Sequence, residues 1–537
     1  METLSTIKNE SWLPWFLRGV LIFGFLILLG RLIELQIFKG PYYRSLSEGN
    51  RIRKVAIKAP RGRILARGGE ILVDNKEVTR KLVFNSDTGF SKTDDLTAAS
   101  ADELIKEPMR YYPLGEKFAH LGGYLGEVNE KEVGKVNPKC SEKGPRKAGD
   151  LVGRGGLEEE YECTLSGTDG EELIEVNTLG KKVRVLGRRE PIPGKDLKTW
   201  ISFDLQAKVA ESMSGKKGAV IVSDPNGQIL ALFSAPSFDP NWFIDKRYSR
   251  EVAALLTDEN LPLFNRAIGG QFHPGSVFKP VVAVAALSEG VIDENYTFND
   301  PGVITIDKYS YSNWYFTQYG STEGTIGLKR AIARSTDTFF YKIGELTGID
   351  DLVKWANKFG FNKETKIDLP GEISGLVPSP EWKKRVKNEI WFLGNTYHVS
   401  IGQGDLSVTP IEENQAISAI ASGGELCSPK IAAEPKCKNL DIKKDYIETV
   451  KEGMVDACST GGTGYTFFDF VPQVACKTGT AETNVDGKTH AWFTVFAPSD
   501  FPDIVATVLV ERGGEGSKVA GPIARDIFNF WFSKNHE

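Results

Sequence analysis

Metal-ligand residues are scarce in this chain. Its six cysteines (140, 163, 427, 437, 458 and 476) form no CxxC pair, and its five histidines (120, 273, 398, 490 and 536) are scattered. That excludes zinc fingers, zinc ribbons and HExxH hydrolases, whose ligands recur at short fixed spacings. Six cysteines in 537 residues are also too few to build a disulfide scaffold. Neither charge is in large excess: 66 basic against 71 acidic side chains leave a net −5, so no global basic field points to nucleic acid. Internal repeats and low-complexity tracts are absent, and beyond one N-terminal segment no apolar run approaches the roughly 18 residues of a membrane span. What is there is an ordinary globular composition, 26% charged, with 55 glycines and 26 prolines. At roughly 150 residues per domain the length suggests three to four units.

The N-terminal segment is the first positive signal. Residues 14–37 read PWFLRGVLIFGFLILLGRLIELQI. As a helix they extend about 36 Å, enough to cross a hydrocarbon core of about 30 Å with some tilt. Arg18, Arg31 and Glu34 are long enough to reach headgroups, and Trp12 and Trp15 stand where an interfacial aromatic belt would lie. No small-residue cleavage site follows in Phe38-Lys39-Gly40-Pro41-Tyr42. The expectation is a single-pass signal anchor over 14–37 with a cytoplasmic tail at 1–13; the alternative is a buried core helix. Positive charge gives the opposite orientation. Lys8 and Arg18 precede the span, but Lys39, Arg44, Arg51, Arg53 and Lys54 follow it, which by charge alone puts the C-terminal side in the cytoplasm.

The body divides near Pro191-Ile-Pro-Gly194. From 38 to 195 it is polar, Gly-punctuated and short-segmented, and Arg53–Lys58 and Lys181–Leu186 alternate like half-buried strands. Residues 44–67 hold eight basic side chains and one acid, Glu48. They read either as contact with anionic lipid or glycan, or as a solvated strand face. Gly153-Arg-Gly-Gly-Leu-Glu158 lacks the spacing and the preceding apolar strand of a nucleotide loop. From 196 to 537 a hairpin opens the second part: Ala219–Ser223 and Gln228–Leu232 flank the turn Asp224-Pro-Asn-Gly227. Helical patterns alternate with loops to about 425, and Ala491–Phe496 and Ile504–Val510 read as closing strands. Strands at both ends with helices between them predict an α+β fold whose antiparallel sheet is completed by the two ends of the domain.

One constellation carries chemistry. In His273-Pro-Gly-Ser276-Val-Phe-Lys279, a Pro-Gly turn opens an apolar helix that ends near Gly290. Ser276 stands in its first turn, where unpaired N–H groups favour negative charge, and Lys279, three residues on, shares its face. A serine hydroxyl needs a base beside it, and a lysine serves if burial or nearby positive charge lowers its pKa. The tetrad alone is weak. Ser5–Lys8 and Ser214–Lys217 match it without opening an apolar helix, and serine is in any case a favoured helix cap. Support comes from Ser335-Thr-Asp337 and from Lys477-Thr478-Gly479-Thr480, the only Lys-Thr-Gly in the chain, placed beside an expected edge strand Val471–Cys476.

S-x-x-K, S-x-[ND] and K-T-G in that order resemble the signature of penicillin-recognising serine enzymes. The chain as a whole resembles the class B penicillin-binding proteins, most of all their elongation-type group, penicillin-binding protein 2. Arg61-Gly-Arg-Ile64, Arg110-Tyr-Tyr-Pro113, Gly122-Gly-Tyr124 and Gly153–Glu158 carry the likeness in the first part. Ile367–Glu372, Pro378–Trp382 and Ser400-Ile-Gly-Gln-Gly404 carry it in the second, and Asp337, where most relatives have Asn, leans toward the elongation type. The resemblance implies an anchor, a β-rich pedestal over 38–195 and a β-lactamase-like transpeptidase domain over 196–537, its antiparallel sheet flanked by helices with a helical subdomain.

The roles implied by the resemblance follow. Ser276 attacks the carbonyl between two terminal D-alanines of a peptidoglycan stem peptide, Lys279 takes the serine proton, and Ser335 relays a proton to the leaving D-alanine. Asp337 orients Lys279 and Ser335, and Lys477 adds positive charge. Thr478 and Thr480 hydroxyls hold the terminal carboxylate, Gly479 lies between them, and backbone N–H groups of Ser276 and Thr480 form the oxyanion hole. A second stem peptide then resolves the acyl-enzyme into a cross-link. No metal or organic cofactor is implied. Partners implied are β-lactams, the membrane, and a SEDS-type glycosyltransferase with other elongation-complex proteins.

The substrate exists only outside the cytoplasm, which places residues from about 38 onward there despite the charge count. Thiols in that compartment could oxidise: Cys427 and Cys437 are close enough in sequence to pair, while Cys476 reads as a small apolar core residue. His273 reads as a loop histidine, since a lysine base is present and no orienting carboxylate is near. Two departures stand out: the Arg61 and Arg110 motifs lie so close together that the pedestal's head is much reduced, and little chain follows the last strand. The alternatives are a catalytically idle anchored scaffold that activates a glycan polymerase, a division-type transpeptidase, or a carboxypeptidase passing the acyl group to water.

Overall fold

The computed structural model describes residues 11–85, 89–97, 99–100, 103–177, 181–483 and 487–534. The Ser5–Lys8 tetrad, most of the expected tail and His536 lie outside them. The chain forms two compact units. One comprises the chain up to Ala59, Glu77–Pro108 and Thr168–Ile192; the other comprises Pro60–Lys76, Met109–Gly167 and Pro193–Glu537.

In the first unit, helix α1 spans Leu13–Ile33 and continues through a wider π-helical turn, Glu34–Phe38. No residue of α1 is buried, and Phe23 is 65% exposed. A helix this apolar with no protein face to bury fits a membrane span, not a core helix. Arg18 lies over the Trp15 ring at its N-terminal end. Further along, strands Ile52–Ile57, Gly170–Val176 and Lys182–Arg189 form an antiparallel sheet with Gly170–Val176 in the middle. The basic stretch meets acids of its own chain: Arg51 pairs with Glu175, Lys54 with Glu171 and Lys58 with Asp169. Such exposed pairs add little stability singly, but they account for charge that composition alone left open to an anionic ligand.

The second unit is built on a five-stranded antiparallel sheet. Its strands are β1 (Gly218–Ser223), β2 (Ile229–Ala235), β3 (Ala475–Glu482), β4 (Thr489–Ala497) and β5 (Ile504–Val510), in the order β2-β1-β5-β4-β3. The two ends of the domain therefore complete one sheet, with β3 at its edge. The expected edge strand Val471–Cys476 is corrected: the strand begins at Ala475 and contains the Lys-Thr-Gly itself. Pro472 has no N–H for a ladder, and Val471 is 84% exposed.

Alternation along the strands serves both faces. Val220, Val222, Phe493 and Val495 pack with α2 (Phe203–Ser212) and the C-terminal helix Gly516–Lys534. Trp492, Phe496, Val505 and Leu509 pack with the helical part, including α3 (Lys279–Ser288). Helix α3 is apolar on all sides and buried from Lys279 to Leu287, as an all-round hydrophobic helix must be.

Three of the four first-half motifs converge within this unit. Glu158, fully buried, accepts from Arg61 (Nη2 at 2.7 Å) and Arg110 (Nε at 2.6 Å), while Arg61 also reaches Glu162 at 2.7 Å. Arg110 donates onward to the Gly62 carbonyl at 2.7 Å. Burial opposes these charges, but the arginines outweigh it and hold the Glu158 carboxyl below its ordinary pKa, while Glu158 and Glu162 raise that of Arg61.

All six cysteines are paired: Cys140–Cys163, Cys427–Cys437 and Cys458–Cys476. Cys476 does lie in the core, but as half of a disulfide and not as a free apolar thiol.

Candidate active site

Ser276 sits on a tight turn, Gly275–Phe278, that runs directly into α3. The cap position belongs to Pro274, so Ser276 is not spent on capping the turn. Its side chain is half-buried and makes no hydrogen bond among the described residues. The turn is clamped from two sides. Gly275 N–H donates to the Gly402 carbonyl at 2.9 Å, and a Cβ on Gly402 would fall 2.0 Å from the Gly275 oxygen. On the other side a Cβ on Gly479 would meet the Pro274 oxygen at 3.0 Å. Gly402 and Gly479 are thus required by close backbone approach around the serine turn.

Behind Ser276 lies a buried amine cluster. Lys279 is fully buried at the head of α3. Its Nζ donates to Asp337 Oδ1 at 2.7 Å, to the Ser335 carbonyl at 2.9 Å and to Ser335 Oγ at 3.2 Å. Lys477, fully buried on β3, donates to the same Ser335 Oγ at 2.9 Å and to the Thr478 carbonyl at 3.0 Å. Ser335 occupies the break between α4 (Leu328–Arg334) and α5 (Asp337–Thr347) with φ of 56°, left-handed backbone that a non-glycine residue rarely takes. That strain turns its hydroxyl between the two ammonium groups, the kind of cost that clusters at functional sites.

The electrostatics favour proton loss. Burial lowers the Lys279 pKa, and Asp337, though in contact, does not restore it. Lys477 is pushed well below the ordinary lysine value, first by burial and then by the charge of Lys279. Two buried amines stand against one carboxylate, a combination that lowers a lysine pKa.

The remaining expected residues are placed as follows. Thr478 Oγ1 donates to Thr463 Oγ1 at 2.9 Å, whereas Thr480 Oγ1 accepts from Gly516 N–H at 3.3 Å, at the start of the C-terminal helix. His273 Nδ1 is 2.6 Å from the Leu406 carbonyl, a loop contact, not one to Ser276. Sequence reasoning missed Thr463, a lone threonine in a Gly-rich loop with no readable signal. It also missed Asn313 and Trp314, whose side-chain oxygen and backbone N–H meet the N–H and carboxylate of Asp337 at 3.2 and 3.1 Å. Among the described residues the one cluster of metal-type ligands is Glu425, Cys427 and Cys437, whose thiols are tied up in a disulfide.

The chain is similar to known proteins over most of its length. The penicillin binding protein transpeptidase domain matches residues 218–529, and the penicillin-binding protein dimerisation domain matches 91–199. Peptidoglycan D,D-transpeptidase MrdA of Acinetobacter baumannii is 31% identical over 96% of this chain and 87% of its own. A solved complex of penicillin-binding protein 2 and MreC from Helicobacter pylori superposes with a TM-score of 0.77 at 26% identity, covering 91% of this chain and 100% of that one. A structure titled as the structural coordination of polymerization and crosslinking by a peptidoglycan synthase complex gives a TM-score of 0.75 at 28% identity, covering 96% and 98%. The chain therefore belongs to the penicillin-binding protein transpeptidase family, in its elongation-type penicillin-binding protein 2 group.

Proposed function

We propose the following division of labour for the serine D,D-transpeptidase reaction of this group. Ser276 attacks the D-Ala-D-Ala carbonyl of a stem peptide and Lys279 accepts its proton. Ser335, held between Lys279 and Lys477, passes a proton to the departing D-alanine. Asp337 orients Lys279. Thr478 receives the terminal carboxylate beside Lys477, with Gly479 and Thr480 completing that strand. Backbone N–H groups of Ser276 and Thr480 stabilise the oxyanion, a contribution of about 10²–10³-fold per donor in such sites. The observation that carries this reading is the shared Ser335 hydroxyl, bonded by both buried lysines next to the turn that presents Ser276.

The division into a tail at 1–13, an anchor at 14–37, a pedestal at 38–195 and a transpeptidase domain at 196–537 belongs to the same reading. So does an extracytoplasmic body. Three disulfides using every cysteine support an oxidising compartment, against the charge count around the anchor. An MreC-like protein is a partner this reading assigns by likeness to the Helicobacter pylori complex, and a SEDS-type polymerase is assigned on the family resemblance alone.

Fluorescent-penicillin labelling of membranes carrying wild type or Ser276→Ala, followed by a chase, tests the assignment. A stable band of about 59 kDa, absent in the variant, is expected. A folded, inserted wild type that takes no label would sink the enzyme reading and favour an idle scaffold, and rapid loss of label would point to a hydrolase.

A further inference from the structure

The Asp337 carboxylate holds Lys279, so whatever holds Asp337 sets the geometry of the base. Two bonds do so, and both come from the start of the short helix Trp314–Tyr319: Asn313 Oδ1 accepts the Asp337 N–H, and Trp314 N–H donates to Asp337 Oδ2. Asn313 is itself fixed by Asp300, in the turn Asp300-Pro-Gly302. Its Nδ2 donates to Asp300 Oδ2 at 3.0 Å, and its N–H donates to the Gly302 carbonyl at 2.8 Å. Asp300 also holds the residue that follows Asp337, since Thr338 Oγ1 donates to Asp300 Oδ1 at 2.6 Å. Gly302 N–H at 2.8 Å and Glu323 N–H at 3.0 Å complete the set. Four donors thus converge on the two oxygens of one buried carboxylate; Asn313 and Thr338 are fully buried and Asp300 is 3% exposed.

We propose that Asp300 is a positioning residue for serine acylation: by fixing Asn313 on one side and Thr338 on the other, it holds the Asp337 carboxylate against Lys279. This rests on the reading of Lys279 as the base. Asp300 makes no hydrogen bond or ion pair to Lys279, Ser335 or Lys477 among the described residues. Its effect passes through a junction of buried and part-buried hydrogen bonds, the kind of network that is rigid when complete and costly when one member is lost. Asparagine cannot replace it, because either orientation of the amide points an NH₂ donor at two existing donors.

The test is the acylation rate constant of the full-length protein with fluorescent penicillin, measured from pH 5 to 10 for wild type, Asp300→Asn and Thr338→Val. The groups facing Lys279 are Asp337 on α5, Ser335 before it, Lys477 on β3 and the Phe340 ring at 5.0 Å. Loosening Asp337 removes the negative member of that set and favours the neutral amine. Asp300→Asn is therefore expected to acylate about ten- to a hundredfold more slowly, the cost of a displaced catalytic group, with its acidic limb moved to lower pH. Thr338→Val, which deletes one bond and keeps the shape, moves both in the same direction by less.

Folded variants within twofold of wild type would overturn the proposal, and so would a slower reaction with an unmoved limb, which is what general loosening gives. Should Asp300→Asn fail to fold, Thr338→Val decides by the same two readouts. A wild type that is not labelled at Ser276 refutes the parent reading and this proposal with it, a result distinct from labelled wild type beside unaffected variants.

Discussion

Two buried charge clusters in the second unit make an instructive pair. In one, Arg61 and Arg110 close on Glu158, with Glu162 beside them. In the other, Lys279 and Lys477 close on Ser335, with Asp337 reaching only Lys279 among the described residues. Both are dry, yet their charges move in opposite directions. Where carboxylates match cations and guanidinium forks fill their lone pairs, burial is overcome, and Arg61 and Glu158 hold their charges more firmly. Where two amines share one carboxylate, burial wins and both lysines are driven toward the neutral form. The first arrangement fixes backbone; the second leaves amines disposed to lose a proton next to the turn that carries Ser276.

The sharpest way to break this contrast is to remove the amine. Lys279→Gln is expected to lower acylation by about 10²–10⁴-fold, the usual worth of a general base, with thermal stability nearly retained because an uncomfortable buried amine has gone; parallel labelling and melting curves check it. The opposite pattern is expected at the other cluster. Glu158→Gln strands the buried Arg110 guanidinium, leaves Arg61 with Glu162 alone, and costs about 3–5 kcal/mol of stability, while the fraction that folds acylates at the wild-type rate. Chemical denaturation alongside labelling separates the two.

A smaller effect concerns a third buried acid. Helix Pro410–Ala421 is buried at every residue, and the Glu413 carboxylate within it has no hydrogen-bond partner among the described residues. Burial, and then the charge of Glu412, push its pKa up to about 8 from an ordinary 4.5. A raised carboxyl pKa means the folded state holds the proton more tightly. Its stabilising contribution is full below about pH 4.5 and fades as pH rises through about 8. Glu413→Met should therefore melt a few degrees higher than wild type at pH 8 and close to it at pH 5. A difference that is equal at both pH values would contradict the assignment.

Much of the sheet and most of the site were legible because local pattern carries them. The hairpin 218–235 announces itself by apolar runs around Asp224-Pro-Asn-Gly227, and Ser276, Lys279, Ser335 and Lys477 sit in short motifs at the ends of elements. The start of β3 was misjudged because Val471 and Val474 look strand-like, while Pro472 and exposure keep the chain off the sheet until Ala475. The partners of Cys140 and Cys476 were invisible, since no short spacing links them to Cys163 and Cys458. Arg61, Arg110 and Glu158 stood in three separate motifs. That they meet on one carboxylate is a property of the fold, and only the wish of each buried charge for a partner hinted at it. Asp300 escaped for the same reason, since a Pro-Gly neighbour reads as a turn and nothing local shows four donors arriving from elsewhere.

The most direct test of the central claim, that burial lowers the lysine pKa values in this cluster, is the pH dependence of acylation in wild type and Asp337→Asn. Acylation needs neutral Lys279, so the rate should rise with pH through a midpoint below that of a free lysine. Removing the Asp337 charge, which alone raises the Lys279 pKa, should move that midpoint lower still. A wild-type limb at the pH of a free lysine, or a limb that stays put or rises in Asp337→Asn, would contradict the account.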